Sequence, residues 1–90
     1  MRITNARDLG LYVRDRRREF GLSQAALADL AGVSRRWLSG LEAGKETTQV
    51  GLVFRTLDAL RLALDARAVM PAGDVDLDVL LGGLDGRPDA

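Results

Sequence analysis

Over the first sixty residues apolar positions recur at helical spacing and are cut by glycine, which predicts a succession of short helices. Leu9, Val13 and Phe20 form one stripe behind Thr4 or Asn5, either of which can cap a helix running to about Phe20, with Gly21 as its left-handed stop. Ser23 opens a second helix with Leu27, Ala28 and Ala31 on its inner side, ended by Gly32. Val33 is a buried spacer, Ser34 caps a third helix, Leu38 and Leu41 point inward, and Gly44 terminates it. Lys45 to Gln49 reads as a loop. Val50, Val53, Phe54, Leu57 and Leu60 then form a fourth stripe that covers the others.

From Leu62 the period becomes two. Leu62, Leu64, Ala66, Ala68 and Met70 alternate with Ala63, Asp65, Arg67 and Val69, the signature of a strand. No second strand pattern exists in the chain, so this strand is expected to pair outside the protomer, most simply with its copy in a homodimer. The alternative is that the segment continues the fourth helix or is irregular. After Pro71 the composition turns to Gly, Asp and Pro, and Leu77, Leu80, Leu81 and Leu84 keep helical spacing across the interruption of Gly82 and Gly83. Residues 71–90 are thus expected to be an acidic, flexible tail that orders on a partner.

Composition narrows the function. Ninety residues allow one domain with a small core, burying roughly 60 to 65% of the unfolded surface. With no cysteine and no histidine, disulfides, thiolate metal sites and the commonest metal ligand and general base are all missing. No metal site, cofactor or catalytic cluster is expected, and the chain does not read as an enzyme. No apolar run approaches the roughly 18 residues of a membrane span, and the N-terminus lacks a secretion signal, so a soluble, cytoplasmic protein without membrane contact is expected.

Charge adds direction. The net charge is zero, yet residues 1–55 carry ten Arg or Lys against six Asp or Glu, whereas residues 56–90 carry three against seven. Such asymmetry suits a first part that meets a polyanion and a second kept away from it. Ordinary solvated faces would look the same by charge alone.

The informative segment is SQAALADLAGVSRRWLSGLEAG, Ser23 to Gly44, where two helices meet through a tight Ala31-Gly32-Val33-Ser34 connection. That joint pattern is a helix-turn-helix: Ala28 is small where the next helix crosses, and Gly32 supplies the turn. With Leu38 and Leu41 inward, the third helix turns Arg35, Arg36, Ser39 and Gly40 outward, with Trp37 at its edge. Arg35 and Arg36 are candidates for bidentate contact with guanine in the major groove, or for contact with phosphate. Gln24, at the start of the second helix, and Lys45, beyond the third, are candidates for phosphate oxygens. Trp37 is either a plate against the fourth helix or a contact to sugar or a thymine methyl. Arg17 extends the inward stripe of the first helix and needs an anion, for which Glu42 is the natural partner, leaving Arg14, Arg16 and Arg18 as the exposed face.

Across about residues 8–70, and most tellingly in LSQAALADLAGVSRRWLSGLEAGK and TLDALRLAL, the chain resembles the Cro/phage-repressor helix-turn-helix class and, within it, the HipB-like antitoxins. The resemblance implies a mainly α fold: a lambda-repressor-like bundle of four to five helices over residues 1–61, then a strand over 62–70 pairing across a homodimer. It also implies a repressor that binds a palindromic operator in double-stranded DNA upstream of its own operon and neutralises a HipA-like serine/threonine kinase toxin. By position, Gln24, Ser34, Arg35, Arg36, Ser39 and Lys45 match the family's DNA-contacting residues, and Arg17 and Glu42 its interhelix ion pair. Gly40 departs from the pattern, where polar side chains are common. A stand-alone regulator without a toxin, or an adaptor whose motif no longer reads DNA, shares these residues.

Overall fold

The computed structural model describes residues 2–70. It contains four α-helices, α1 (Ala6–Glu19), α2 (Gln24–Ala31), α3 (Arg35–Glu42) and α4 (Val50–Ala59). Three of them start at side-chain caps. Asn5 Oδ1 accepts from Asp8 N at 2.8 Å, Ser23 Oγ from Ala26 N at 3.0 Å and Ser34 Oγ from Trp37 N at 3.0 Å, each satisfying an amide that the first helical turn leaves without a partner. At α1 the Asp8 carboxylate also reaches back to Thr4 N and Oγ1, so the two residues that compete for the cap in the sequence both take part.

All four helices end alike, by paired backbone bonds around a left-handed residue. Leu22 N donates to Arg17 O, Val33 N to Ala28 O, Lys45 N to Gly40 O and Leu62 N to Leu57 O, the long bond of a Schellman turn. The left-handed residue is glycine at the first three ends and Arg61, at φ 57°, at the fourth. A glycine stop was legible in the sequence and the arginine one was not.

The core is a single cluster of Val13, Leu27, Ala28, Leu38, Leu41, Val53, Leu57 and Leu60, with α1 packed on α3 and α2 on both α3 and α4. Leu9, Leu22, Val33, Trp37, Ala59 and Leu62 are half-buried around it. Thr56 is fully buried, and its Oγ1 donates to Leu52 O one turn back at 2.9 Å, which removes the cost of an orphaned hydroxyl.

Several expected positions are corrected. Phe20 is not part of the inward stripe: it is 42% exposed at the end of α1, its ring 4.6 Å from the Arg16 guanidinium carbon. Arg14 and Arg16 are half-buried rather than on an exposed face. Arg16 Nε donates to Leu60 O at 3.1 Å and Nη1 to Glu19 Oε1 at 3.3 Å, fastening α1 to the end of α4. On α4, Val50 and Phe54 leave the buried stripe and are 68% and 52% exposed. Val33 is half-buried.

Helix α4 stops at Ala59, so residues 62–70 do not continue it. Among the described residues no strand is formed, and beyond Leu62 no backbone hydrogen bond reaches the segment that was expected to be one. The alternation of Leu62, Leu64, Ala66, Ala68 and Met70 places only Leu62 against the core, and Leu64 and Met70 are 50% and 72% exposed. The expected tail, residues 71–90, lies outside the described residues. No helix among the described residues is long and apolar enough to cross a membrane.

Candidate nucleic-acid interface

Helices α2 and α3 enclose a turn in which Gly32 takes φ 72°, ψ 37° and Ser34 returns to extended backbone before α3 begins. A side chain disfavours that glycine's conformation. Arg55, from α4, braces the same turn by donating from Nη1 to Gly32 O at 3.2 Å. Leu38 and Leu41 anchor α3 from within at 0% and 1% exposure. The opposite face presents Arg35, Arg36 and Ser39 to solvent, and among the described residues neither arginine has an ion-pair or hydrogen-bond partner.

What fixes α3 relative to α1 is a buried fork. Arg17 Nε donates to Glu42 Oε2 at 2.7 Å and Nη2 donates to Glu42 Oε1 at 2.9 Å, while Nη1 donates to Leu22 O at 2.8 Å. Burial by itself pushes the Glu42 carboxyl up. The hydrogen bonds from Arg17 and Gln24 and the nearby charges of Arg17 and Arg14 outweigh it and hold the group below the usual carboxylate range. The hydrogen bond to Glu42 likewise raises Arg17 against the opposing effect of burial. Two planar groups joined twice leave little rotational freedom, so the pair sets an angle between helices as well as a distance.

Gln24 joins this cluster, its Nε2 donating to Glu42 Oε1 at 3.1 Å. The residue read from sequence as a phosphate contact therefore spends one amide donor on the ion pair, with its remaining polar capacity at the half-buried start of α2. Ser34 likewise has a structural task as the α3 cap. Trp37 is half-buried and packs on the core. Lys45 is exposed, and its stem folds back over α3, with Cδ 3.5 Å from where a Cβ on Gly40 would lie.

Gly10 was missed. A Cβ there would run into the carbonyl oxygens of Leu41 and Glu42, the latter at 2.9 Å, so α1 reaches the last turn of α3 only because residue 10 has no side chain. A glycine at mid-helix, costing about 1 kcal/mol against alanine, was the available signal.

A short helix held from below by leucines, turned outward with unpaired arginines at its first turn and preceded by a braced tight turn, defines a helix-turn-helix unit of the kind that enters a DNA groove. The helix-turn-helix domain family model matches residues 8–70. An uncharacterised HTH-type transcriptional regulator, y4mF, of Sinorhizobium fredii is 43% identical over 67 residues, spanning 74% of this chain and 88% of the relative. Among solved structures, a HipB variant in an O2 20mer complex superposes with a TM-score of 0.72 at 23% identity, covering 78% of this chain and 97% of that one. A HipA-HipB-O2-O3 complex follows at 0.71 and 21%, covering 78% and 99%. Those two likenesses show the fold. The chain belongs to the helix-turn-helix domain family, whose members are DNA-binding transcriptional regulators and not enzymes.

Proposed function

We infer that this chain is a sequence-specific operator-binding repressor that works in the cytoplasm as a homodimer and serves as the antitoxin of a HipA-like serine/threonine kinase toxin. The observation carrying the DNA half is the pair of exposed, unpartnered guanidiniums of Arg35 and Arg36 on a helix whose pose is fixed by the Arg17–Glu42 fork. A guanidinium can give two parallel hydrogen bonds to guanine O6 and N7, a pattern no other base pair edge offers. Ser39 lies one turn further along, and Gln24 at the start of α2, Ser34 before α3, Trp37 within it and Lys45 beyond its end are read as contacts to the backbone.

Dimerisation is supported by apolar surface that the monomer leaves uncovered. Val50 and Phe54 of α4 and Leu64 just beyond it are each at least half exposed, and Phe54 and Leu64 flank one groove with Leu57 and Leu62. Residues 62–70 alternate in the manner of a strand, and beyond Leu62 no backbone hydrogen bond holds them, so pairing with a two-fold mate would satisfy their open groups. In this reading residues 1–61 bind DNA, 62–70 dimerise, and 71–90 form an acidic tail.

The antitoxin role rests on the likeness to HipB in its assembly with HipA and operator DNA. A stand-alone regulator is the second reading, favoured by the likeness to y4mF. Co-expression of the chain with a kinase encoded beside it, followed by purification and a mobility-shift assay on the DNA upstream of the gene pair, separates the two. A ternary band with the kinase supports the antitoxin. A shift by the chain alone with no kinase retained supports the regulator, and no shift of any fragment removes the DNA reading.

A further inference from the structure

We propose that Arg7 and Lys45 together grip one stretch of DNA backbone at the exit of α3, so that phosphate binding extends from the helix-turn-helix unit onto the first turn of α1. The inference rests on the DNA-binding reading above.

Gly44, at φ 89°, turns the chain out of α3, and a Cβ on it would lie 3.2 Å from Arg7 Cα and 3.5 Å from Arg7 Cβ. The backbone of Arg7 therefore lies against the turn that bears Lys45 on its next residue. Two cationic residues 38 positions apart in sequence thereby border the same turn at the end of α3. Both side chains are exposed, and among the described residues neither has a hydrogen-bond or ion-pair partner. The carboxylates that could have neutralised them are engaged elsewhere: Asp8 holds Thr4, and Glu42 holds Arg17 and Gln24. Among the described residues Glu46 is the one carboxylate near in sequence without an ion-pair or hydrogen-bond partner.

Two exposed cations at the border of one turn are tolerated in solution because water and salt screen them. A polyanion laid across both gains two charge-assisted contacts. The place suits that role. Bases are read from the first turn of a recognition helix, by Arg35 and Arg36 here, and the other end of the helix approaches the backbone at the rim of the groove. The Lys45 stem lies over Gly40, so the exposed lysine stays beside the last turn of α3.

The probe is a mixed-sequence duplex of about two helical turns, titrated by fluorescence anisotropy across a salt series with the full chain. Each neutralised phosphate contributes about 0.9 to the slope of log K against log salt. Arg7→Gln and Lys45→Gln are each expected to lower that slope by about 1, and the double variant by about 2. Arg18→Gln, which removes an exposed charge from the far end of α1, should leave it unchanged. Because Arg7 has no partner among the described residues, thermal melting of Arg7→Gln should match the wild type, which excludes misfolding as the cause. A full slope in Arg7→Gln overturns the paired grip while leaving the DNA reading intact. Failure of the wild type to bind any duplex at low salt removes both.

Discussion

Arg17 and Glu42 meet across 25 positions of sequence in a two-pronged ion pair, at 2.7 and 2.9 Å, with side chains only 10% and 4% exposed. Because Gln24 and Leu22 O complete its hydrogen bonding, the cluster joins α1, the turn after it, α2 and α3 at a single point. Removing one member leaves a charge in a place that water scarcely reaches. Arg17→Met is therefore expected to cost about 3 kcal/mol in urea denaturation, and the double variant Arg17→Met, Glu42→Leu less than that. A cost below about 1 kcal/mol for the single variant would mean that the pair does not hold α1 on α3.

The same pair makes stability depend on acid. The folded-state pKa of Glu42 lies below its unfolded value of about 4.3, so its contribution is complete above that value and disappears as pH falls through the folded one. Unfolding curves between about pH 5 and 2 should show stability declining with acid, and Glu42→Gln should flatten that decline. A parallel decline in the variant would assign the acid sensitivity to other carboxylates.

Gly10→Ala tests the closeness of α1 and α3. Helix propensity favours the alanine by about 1 kcal/mol, but its methyl group must displace the Leu41 and Glu42 carbonyls. The clash should dominate, with a net loss of about 1–3 kcal/mol by thermal or chemical melting. A stabilised variant would show that the helices separate without cost.

Arg61→Gly should act in the opposite direction. Arg61 closes α4 with φ 57°, where a side chain is strained by about 1 kcal/mol and glycine is not. After the greater entropy that glycine gains on unfolding is subtracted, stability should rise by about 0.5 kcal/mol, a few degrees in Tm. An unchanged or lowered Tm would place a compensating contact on the arginine side chain.

Base reading is tested through Arg35→Ala. Preference for the operator over a duplex altered at one guanine should fall by about 1–3 kcal/mol, while binding to mixed-sequence DNA should change far less. Equal loss on all duplexes would assign Arg35 to the backbone instead.

The parts of this molecule that were legible in its sequence are those governed by neighbours in the chain. Asn5, Ser23 and Ser34 were readable as caps because a cap bonds an amide only three residues on, and Gly21, Gly32 and Gly44 as stops because left-handed backbone selects glycine locally. The outward placement of Arg35, Arg36 and Ser39 followed from Leu38 and Leu41, since helical periodicity fixes one face once the other is known. Arg61 escaped because arginine carries no stop signal. Phe20, Val50 and Phe54 were misplaced because periodicity says which residues share a face and not how far the neighbouring helix extends to cover it.

The sequence alone determined four amphipathic helices, the caps of the first three, and which residues of the third face outward, because each depends on contacts within a turn or two. Only the tertiary structure decided that Gln24 joins the Arg17–Glu42 pair, that Arg16 fastens α1 to Leu60, and that the backbone of Arg7 lies against Gly44. Those relationships depend on the crossing distance of α1 and α3. That distance is set by the missing side chain at Gly10 and by the packing of the whole core, which no local pattern encodes.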